Sequence, residues 1–552
     1  MNYTKYQTEK IIDLPNRTWP GNQLKKAPNW CSVDLRDGNQ SLETPMTLEQ
    51  KLEFFKFLVK TGFKEIEIGF PAASDTEFQF TRTLIEGNLI PDDVTIQVLT
   101  QSRDAIIRRT FESLRGVRKA VVHLYNSTSP LQRDVVFQKS REEVIELAVS
   151  GAKLLNELAE EYGKERFIFE YSPESFSQTE VDYAVQVCNA VLEVWRDKPP
   201  VIINLPFTVE SFTPNVHADM IEYMCSHLQN RENVIVSLHA HNDRGTAVAA
   251  TELCLMAGAD RVEGTLFGNG ERTGNADLIT LAMNLYSQGI DPKLDFSEID
   301  AAIAIYEKST GLPVHPRHPY AGDLVYTAFS GSHQDAIRKG MARMKDGANK
   351  WAVPYLPIDP KDVGRSYDPI IRINSQSGRG GVAYILENHG GIQIPKIMQP
   401  DFGAVVNKVS DSQGKELTPD EICKLFLDTY IKPDAPMELI DWKYVRENEA
   451  SHVTGSLNWK GANIPIEGYG SGAVEAFCQA ISKATGISFV ITHYSQNAMD
   501  TNSGAKAKAI TYVGISAAGK TCFGVGVSGS VTTSSIRAVL SAVNRSYPAT
   551  SN

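Results

Sequence analysis

The chain has 552 residues, 42% hydrophobic and 22% charged, with a formal net charge of -11. That length predicts more than one domain. The acidic balance, with no basic stripe, argues against a nucleic-acid partner. No run approaches the roughly 20 apolar residues that a membrane span needs, and the polar start "MNYTKYQTEKIIDLPNRTWP" reads as no signal peptide. The seven cysteines are scattered and form no CxxC pair, which suits reduced thiols in a cytoplasmic compartment and argues against a zinc ribbon.

From residue 30 to about 275, strand-like runs alternate with amphipathic helical ones. The strands are "WCSVDLRD", "FKEIEIGFP", "VTIQVLTQS", "KAVVHLYNS", "RFIFEYSPE", "VIINLPFT", "NVIVSLHAH" and "DRVEGTLFG". Between them lie helices such as "TLEQKLEFFKFLVKTG", which opens on a Thr47–Gln50 capping box. Eight βα units over roughly 250 residues predict an α/β fold, a (β/α)8 TIM barrel. An open, doubly wound sheet is the alternative. The strand ends favour the barrel: Arg36 and Asp37, His123, Ser172 with Glu174, Thr208, then His239 and His241 would all face one mouth.

After residue 310 the rhythm stops. Segments rich in Pro, Gly and aromatics, then "INSQSGRGGVAYIL", read as ordered linker subdomains over 311–435. The tail, 436–552, holds a weak repeat with copies roughly 56 residues apart. "IPIEGYGSGAVEAFCQAISKATG" resembles "TCFGVGVSGSVTTSSIRAVLSAVN", each a strand, a Gly-rich turn and a helix, which predicts an α+β domain with pseudo-twofold symmetry. Two strings there mislead. "GISAAGKT" matches a P-loop, but a strand-like run follows where a helix is needed, so it reads as a hairpin turn. "GVGVSG" matches a dinucleotide motif, but the chain ends before a second βαβ strand.

The chemistry starts from "LHAHNDRG". Side chains alternate on a strand, so His239 and His241 point the same way. Two imidazoles side by side suit a divalent metal, with polar residues merely closing a strand end as the alternative. Asp37 would add a carboxylate, and two imidazoles with one carboxylate and open positions form a common catalytic set. Asp34, just before it, is a ligand or a structural residue. Arg36 stays charged and can stabilise a developing enolate, or simply pair with a carboxylate. Glu174 relays protons or sits on a solvated rim.

Together, "WCSVDLRDGNQSL", "FKEIEIGFPAAS", "NLPFTVE", "LHAHNDRG", "EGTLFGNGERTGN", "SGSHQDAI", "VPYLPIDPKDVGR" and "NSQSGRGG" resemble the long-type alpha-isopropylmalate synthases, in order and over nearly the whole chain. The resemblance implies a transferase that condenses acetyl-CoA with 2-oxoisovalerate and releases 2-isopropylmalate and CoA, in leucine biosynthesis. Siblings using another 2-oxo acid (citramalate or homocitrate type) and metal-dependent lyases share the HxHND string. Carried over, Asp37, His239, His241 and Asn275 hold a divalent ion such as magnesium, manganese or zinc; a monovalent cation such as potassium is also implied. Arg36 is the catalytic arginine and Glu174 lies near the reacting centre. Leu99, His123, Ser172 and Thr208 form the keto-acid pocket, with Thr208 and His123 toward the carboxylate. His333 and Tyr355 complete the partner's site across a homodimer. The family's domains map to 1–310 (barrel with N-terminal extension), 311–435 (linker subdomains) and 436–552 (leucine-binding regulatory domain, with Gly468, Gly470, Gly524 and Gly526 in its turns). Both turns depart from the family's usual residues, so the effector stays open.

Overall fold

Eight short runs rich in Val, Ile and Leu can bury both faces only if helices cover one side and the barrel interior the other. That is the arrangement in the computed structural model, which describes residues 2–5, 12–197, 200–328, 331–345, 350–365, 379–413, 417–431, 436–499 and 507–547. The chain forms two compact units, Met1–Val325 with Ile358–Arg365, and Tyr326–Pro357 with Ser366–Asn552. Of the expected linker span, 311–325 and 358–365 thus fall with the barrel and the rest with the tail. Most of the "NSQSGRGG" string lies outside the described residues.

The first unit is a closed barrel of eight parallel strands: β1 Asn29–Ser32, β2 Glu65–Gly69, β3 Thr95–Gln101, β4 Ala120–Ser127, β5 Phe167–Glu174, β6 Val201–Phe207, β7 Val234–Ala240 and β8 Arg261–Gly264. β1 closes on β8 with Trp30 beside Val262. The crossovers are α1 Leu48–Thr61, α2 Asp75–Glu86, α3 Asp104–Ser113, α4 Arg141–Tyr162, α5 Val181–Val194, α6 Pro214–His227, α7 Ala247–Met256 and α8 Leu278–Ser287, and α9 Ile299–Thr310 follows. The Thr47–Gln50 capping box opens α1 as expected. After β1 the chain makes a wide π-type turn, Asp34–Gly38, that carries Arg36 and Asp37. Such turns re-aim side chains at functional sites.

The second unit has helices α10 Gly331–Lys345, α11 Arg379–Asn388, α12 Gln399–Gln413 and α13 Pro419–Phe426. Then come β9 Met437–Glu447, β10 Ala450–Trp459, β11 Ala462–Gly470, α14 Ala473–Thr485, β12 Phe489–Ala498, β13 Ala509–Ala517, β14 Lys520–Ser528 and α15 Val531–Ser546. Each half of this tail is a three-stranded antiparallel sheet with a helix packed on it. The repeat is therefore longer than the strand–turn–helix visible in sequence. Val453, Ile466, Phe477, Val513, Ile536 and Val539 from both halves share one core. "SAAGK" is a two-residue hairpin: Ala518 and Gly519 both take positive φ, 49° and 76°, the type I′ geometry.

The four tail glycines lie in strands β11 and β14, not in turns. A Cβ at Gly524 would lie 2.2 Å from Ala542 N, and at Gly526 2.0 Å from Ser534 O. At Gly468 it would lie 2.2 Å from Ala476 O, and at Gly470 2.6 Å from Ala476 N. Their bareness lets each helix backbone lie directly on its sheet. Gly524→Ala should therefore destabilise the protein by about 1–3 kcal/mol, the usual cost of overpacking. Calorimetry would show this as a lower melting transition; an unchanged transition would contradict the packing role.

Candidate active site

Strand alternation places one polar side chain of almost every strand inside the barrel. Arg261 on β8, fully buried, donates to Glu65 (2.6 Å), Ser237 (2.8 Å), Glu263 (2.8 Å) and Gln97 (2.7 Å). Gln97 donates onward to Glu67 (2.7 Å) and Glu263 (2.8 Å). Glu170, also fully buried, lies 3.4 Å from His123 Nε2 and 3.6 Å from Arg261. Burial and the nearby Glu263 push its carboxyl well above the usual range. Burial also works against charge on Glu67, but the Arg36 guanidinium and the hydrogen bond from the His123 ring hold it below the usual range.

Above this layer stand the expected metal residues. The ligand atoms of Asp37, His239 and His241 lie within 4.8 Å of one another. His239 Nε2 is 3.5 Å and His241 Nε2 3.6 Å from Asp37 Oδ2. His239 turns its Nδ1 to Glu263 (2.8 Å), the carboxylate behind the imidazole that orients metal-binding histidines. Asn275 donates to Asp37 Oδ2 (2.8 Å) and Asn269 O (2.9 Å). Its Oδ1 is buried and makes no hydrogen bond, leaving a free oxygen donor beside the other three. Gly274 (φ +95°) makes this possible: a Cβ there would sit 1.9 Å from Gly268 O. The nitrogen–oxygen donor set and the orphaned amide oxygen fit a divalent ion. A second cluster, Glu67, His123 and Glu263, is already neutralised by Arg36 and Arg261.

Arg36 binds Glu67 through Nε and Asp37 through NH1. Burial opposes its charge, but those two carboxylates hold the guanidinium protonated. Burial likewise opposes ionisation of Asp37, yet Arg36 and His239 hold it well below the usual range. Asp34 is structural: it accepts from Ser32 Oγ (2.8 Å) and Leu266 N (3.0 Å), tying β1 to the end of β8. Burial raises it to about 7.

One cavity at the barrel mouth is lined by Arg36, Asp37, Leu99, His123, Ser172, Glu174, Thr208, His239 and His241. Nine of the expected residues thus meet, and Asn275 stands directly behind Asp37. Thr208 Oγ1 accepts from Ser175 N (2.9 Å), which leaves its hydroxyl hydrogen free. Ser127 donates to Glu174 Oε2. His333 and Tyr355 belong to the second unit, where their rings stack at 4.1 Å and both are exposed. A larger surface groove at the strands' N-terminal ends, lined by Lys25, Lys26 and Arg231, lies at the face that serves stability in such barrels.

Sequence reasoning missed Gln40, Tyr125, Asn204, Glu271 and Arg272 in the cavity lining, and the charged layer beneath it. A signal existed: "EIEIG", "TIQVL", "FIFEYS" and "RVEG" each carry polar residues inside an apolar strand. Arg272 ties three loops together. It donates to Asp243 (2.7 Å) and to Thr208 O (2.5 Å), while Asp243 accepts from Glu210 N (2.9 Å).

Three family models match the chain: HMGL-like over residues 27–305, alpha-isopropylmalate synthase post-catalytic domain-like over 323–387, and LeuA allosteric (dimerisation) domain over 416–547. Curated relatives include the 2-isopropylmalate synthase of Acetoanaerobium sticklandii, 58% identical over 99% of this chain and 97% of that protein. The 2-isopropylmalate synthase of Clostridium acetobutylicum is 53% identical over 99% and 100%. That of Ralstonia nicotianae is 53% identical over 98% and 94%.

Metal must displace a proton from this site. Burial opposes charge on His239, but Asp37 and Glu263 raise it to about 9. Burial and the charge on His239 lower His241 to about 4. Between those values one histidine proton blocks the site. Each divalent ion should therefore release close to one proton at pH 7, and affinity should tighten about tenfold per unit from about pH 6 to 8, levelling above about pH 9. Calorimetry in buffers of different ionisation enthalpy reads the proton count; pH-independent affinity would contradict it.

Proposed function

The chain belongs to the 2-isopropylmalate synthase family, and on that footing we propose that it joins the methyl carbon of acetyl-CoA to the ketone carbon of 2-oxoisovalerate and hydrolyses the thioester to 2-isopropylmalate and CoA. The observation that carries the site assignment is the Asp37–His239–His241 cluster, with the free oxygen of Asn275 beside it, at the mouth of the barrel. These four residues would hold the divalent ion, which when bound polarises the ketone and stabilises the charge formed on its oxygen.

The chain's own residues do the rest. Thr208 gives its free hydroxyl hydrogen to the acid's carboxylate, and Leu99, with Pro206, offers an apolar wall to the isopropyl group. His123 and Ser172 close the floor. Glu174, anchored by Ser127, takes the methyl proton of acetyl-CoA. Arg36 keeps N–H groups beyond the two bonded to carboxylates and turns them to the enolate oxygen. Both guanidinium groups in the lining, Arg36 and Arg272, are already tied to carboxylates. A second carboxylate on the acceptor, as in 2-oxoglutarate, would find no unengaged cation among the described lining residues.

His333 and Tyr355, stacked and exposed, serve the site of a second copy in a homodimer. This reading is supported by the family description of the C-terminal region as a dimerisation domain. Leucine binds there as the effector, magnesium, manganese or zinc serves as the ion, potassium as an accessory cation, and the chain works in the cytoplasm. Among the described residues no helix is long and apolar enough to cross a membrane.

Thiol release from acetyl-CoA with a panel of 2-oxo acids, after EDTA and metal add-back, with and without leucine, tests the whole. We expect turnover with 2-oxoisovalerate that needs metal and falls with leucine. Preference for pyruvate or 2-oxoglutarate would move the protein to a sibling reaction, and no release with any acceptor would overturn the proposal. His241→Ala should lose metal binding and turnover by a factor of at least about 100, in the range of lost metal or electrostatic catalysis, with its melting transition kept. Full activity in that variant would sink the metal assignment.

A further inference from the structure

The hydrogens at the cavity floor can be placed one at a time. Glu67 Oε2 can only accept, so His123 Nδ1, 2.7 Å away, carries the ring hydrogen. Gln97 Nε2 lies 3.3 Å from that nitrogen, but its two hydrogens go to Glu67 and Glu263. A neutral ring with its hydrogen on Nδ1 presents a lone pair at Nε2. Ser172 Oγ stands 2.7 Å from Nε2. Asn204 Nδ2 donates to Ser172 Oγ (3.0 Å), and its second contact, to Glu263 Oε2 (3.2 Å), fixes which way that amide faces. In that neutral tautomer the serine hydrogen points at the imidazole. The other oxygen of Glu67 is held by Arg36.

The result is a hydroxyl, an imidazole and a carboxylate in series, in the hydrogen arrangement that lets a serine oxygen hand its proton to histidine. Ser172 and His123 line the cavity, and Glu67 is fully buried behind the ring. This arrangement has a second consequence. With its hydrogen given to His123, Ser172 has none to offer a substrate carboxylate, and Nε2 has none either. The pair is built to accept a proton.

We infer that Ser172 and His123, positioned by Glu67, form the base for the hydrolytic half of the reaction. A water on Ser172 Oγ gives its proton to the serine oxygen as the serine's own proton passes to His123 Nε2. The water oxygen bonds to the thioester carbonyl carbon and the carbon–sulfur bond breaks. The proton then returns from His123 through Ser172 to the leaving thiolate, giving CoA and the free acid with the relay restored. Glu67 acts through the ring, fixing its hydrogen on Nδ1 and stabilising the imidazolium. The inference rests on the synthase reading above, because it needs a thioester formed in this cavity.

Rapid quench and mass spectrometry with acetyl-CoA, 2-oxoisovalerate and added metal separate the two halves. Wild type should yield free CoA and free acid in equal amounts, with little thioester. In Glu67→Gln and Ser172→Ala, free CoA formation should fall by about 10²–10⁴, the usual worth of a general base, and 2-isopropylmalyl-CoA should accumulate. Supplying that thioester directly should show the same loss. Ser172→Ala removes a single hydroxyl, so it carries the test if Glu67→Gln fails to fold. A role confined to shape or substrate holding would depress carbon–carbon bond formation and hydrolysis together, with no thioester build-up, and that result would overturn the inference. If wild type itself forms no carbon–carbon bond, the synthase reading fails instead.

Discussion

The Arg261 guanidinium anchors the charge balance of the whole barrel. Fully buried, it is the cation that lets the equally buried Glu263 stay ionised. Glu263 in turn orients His239. Removing one partner of a buried pair leaves an uncompensated charge, at a cost of about 3–5 kcal/mol. His239 at the mouth is thus aimed through Glu263 by an arginine at the barrel floor that does not line the cavity. On the opposite wall Arg36 plays the matching part, holding Glu67 ionised and so fixing the ring of His123.

This layered arrangement explains how one mouth supports two kinds of proton chemistry. Asp37 from the turn after β1 and His239 and His241 at the end of β7 converge on one point, and the side-chain oxygen of Asn275 is left unbonded, as a cation site requires. On the β4–β5 side, the proposed tautomer commits the hydrogens of His123 and Ser172 and leaves the serine oxygen as the acceptor. Burial and Glu263 disfavour the charged form of Glu170 beneath them. The loops above are cross-tied by Arg272 and Asp243, so Thr208 holds its place without relying on its own strand alone.

The second unit follows another logic. Its two halves share one apolar core, and each helix lies on its sheet across bare glycines. The Gly-x-Gly strings that stand out in the tail are therefore packing devices. The polar residues at the start of α15, where Ser534 and Thr511 share a hydrogen bond of 2.5 Å, have no counterpart in the small and acidic residues that open α14. The repeat is symmetric in its packing and asymmetric in its chemistry.

The eight strands, the parallel βα order, the HxH pair and the residues that end each strand were all legible in the chain, because period-two alternation and β-branched runs are local properties. Local pattern also exposed the P-loop string as a hairpin, since the run after "SAAGK" is strand-like. Asp34 stayed undecided between ligand and structural residue; only its bonds to Ser32 and Leu266 made it structural. Glu67, Glu170, Glu263 and Arg261 went unremarked, because a polar residue inside an apolar strand gains meaning only when the sheet closes. Strand pairing and closure bring side chains 30 and 196 residues apart within hydrogen-bond reach, as Gln97 to Glu67 on neighbouring strands and Arg261 to Glu65 across the closed seam demonstrate. Which nitrogen of His123 carries a hydrogen, and why the side-chain oxygen of Asn275 stays free, depend on those contacts and on no shorter stretch of chain.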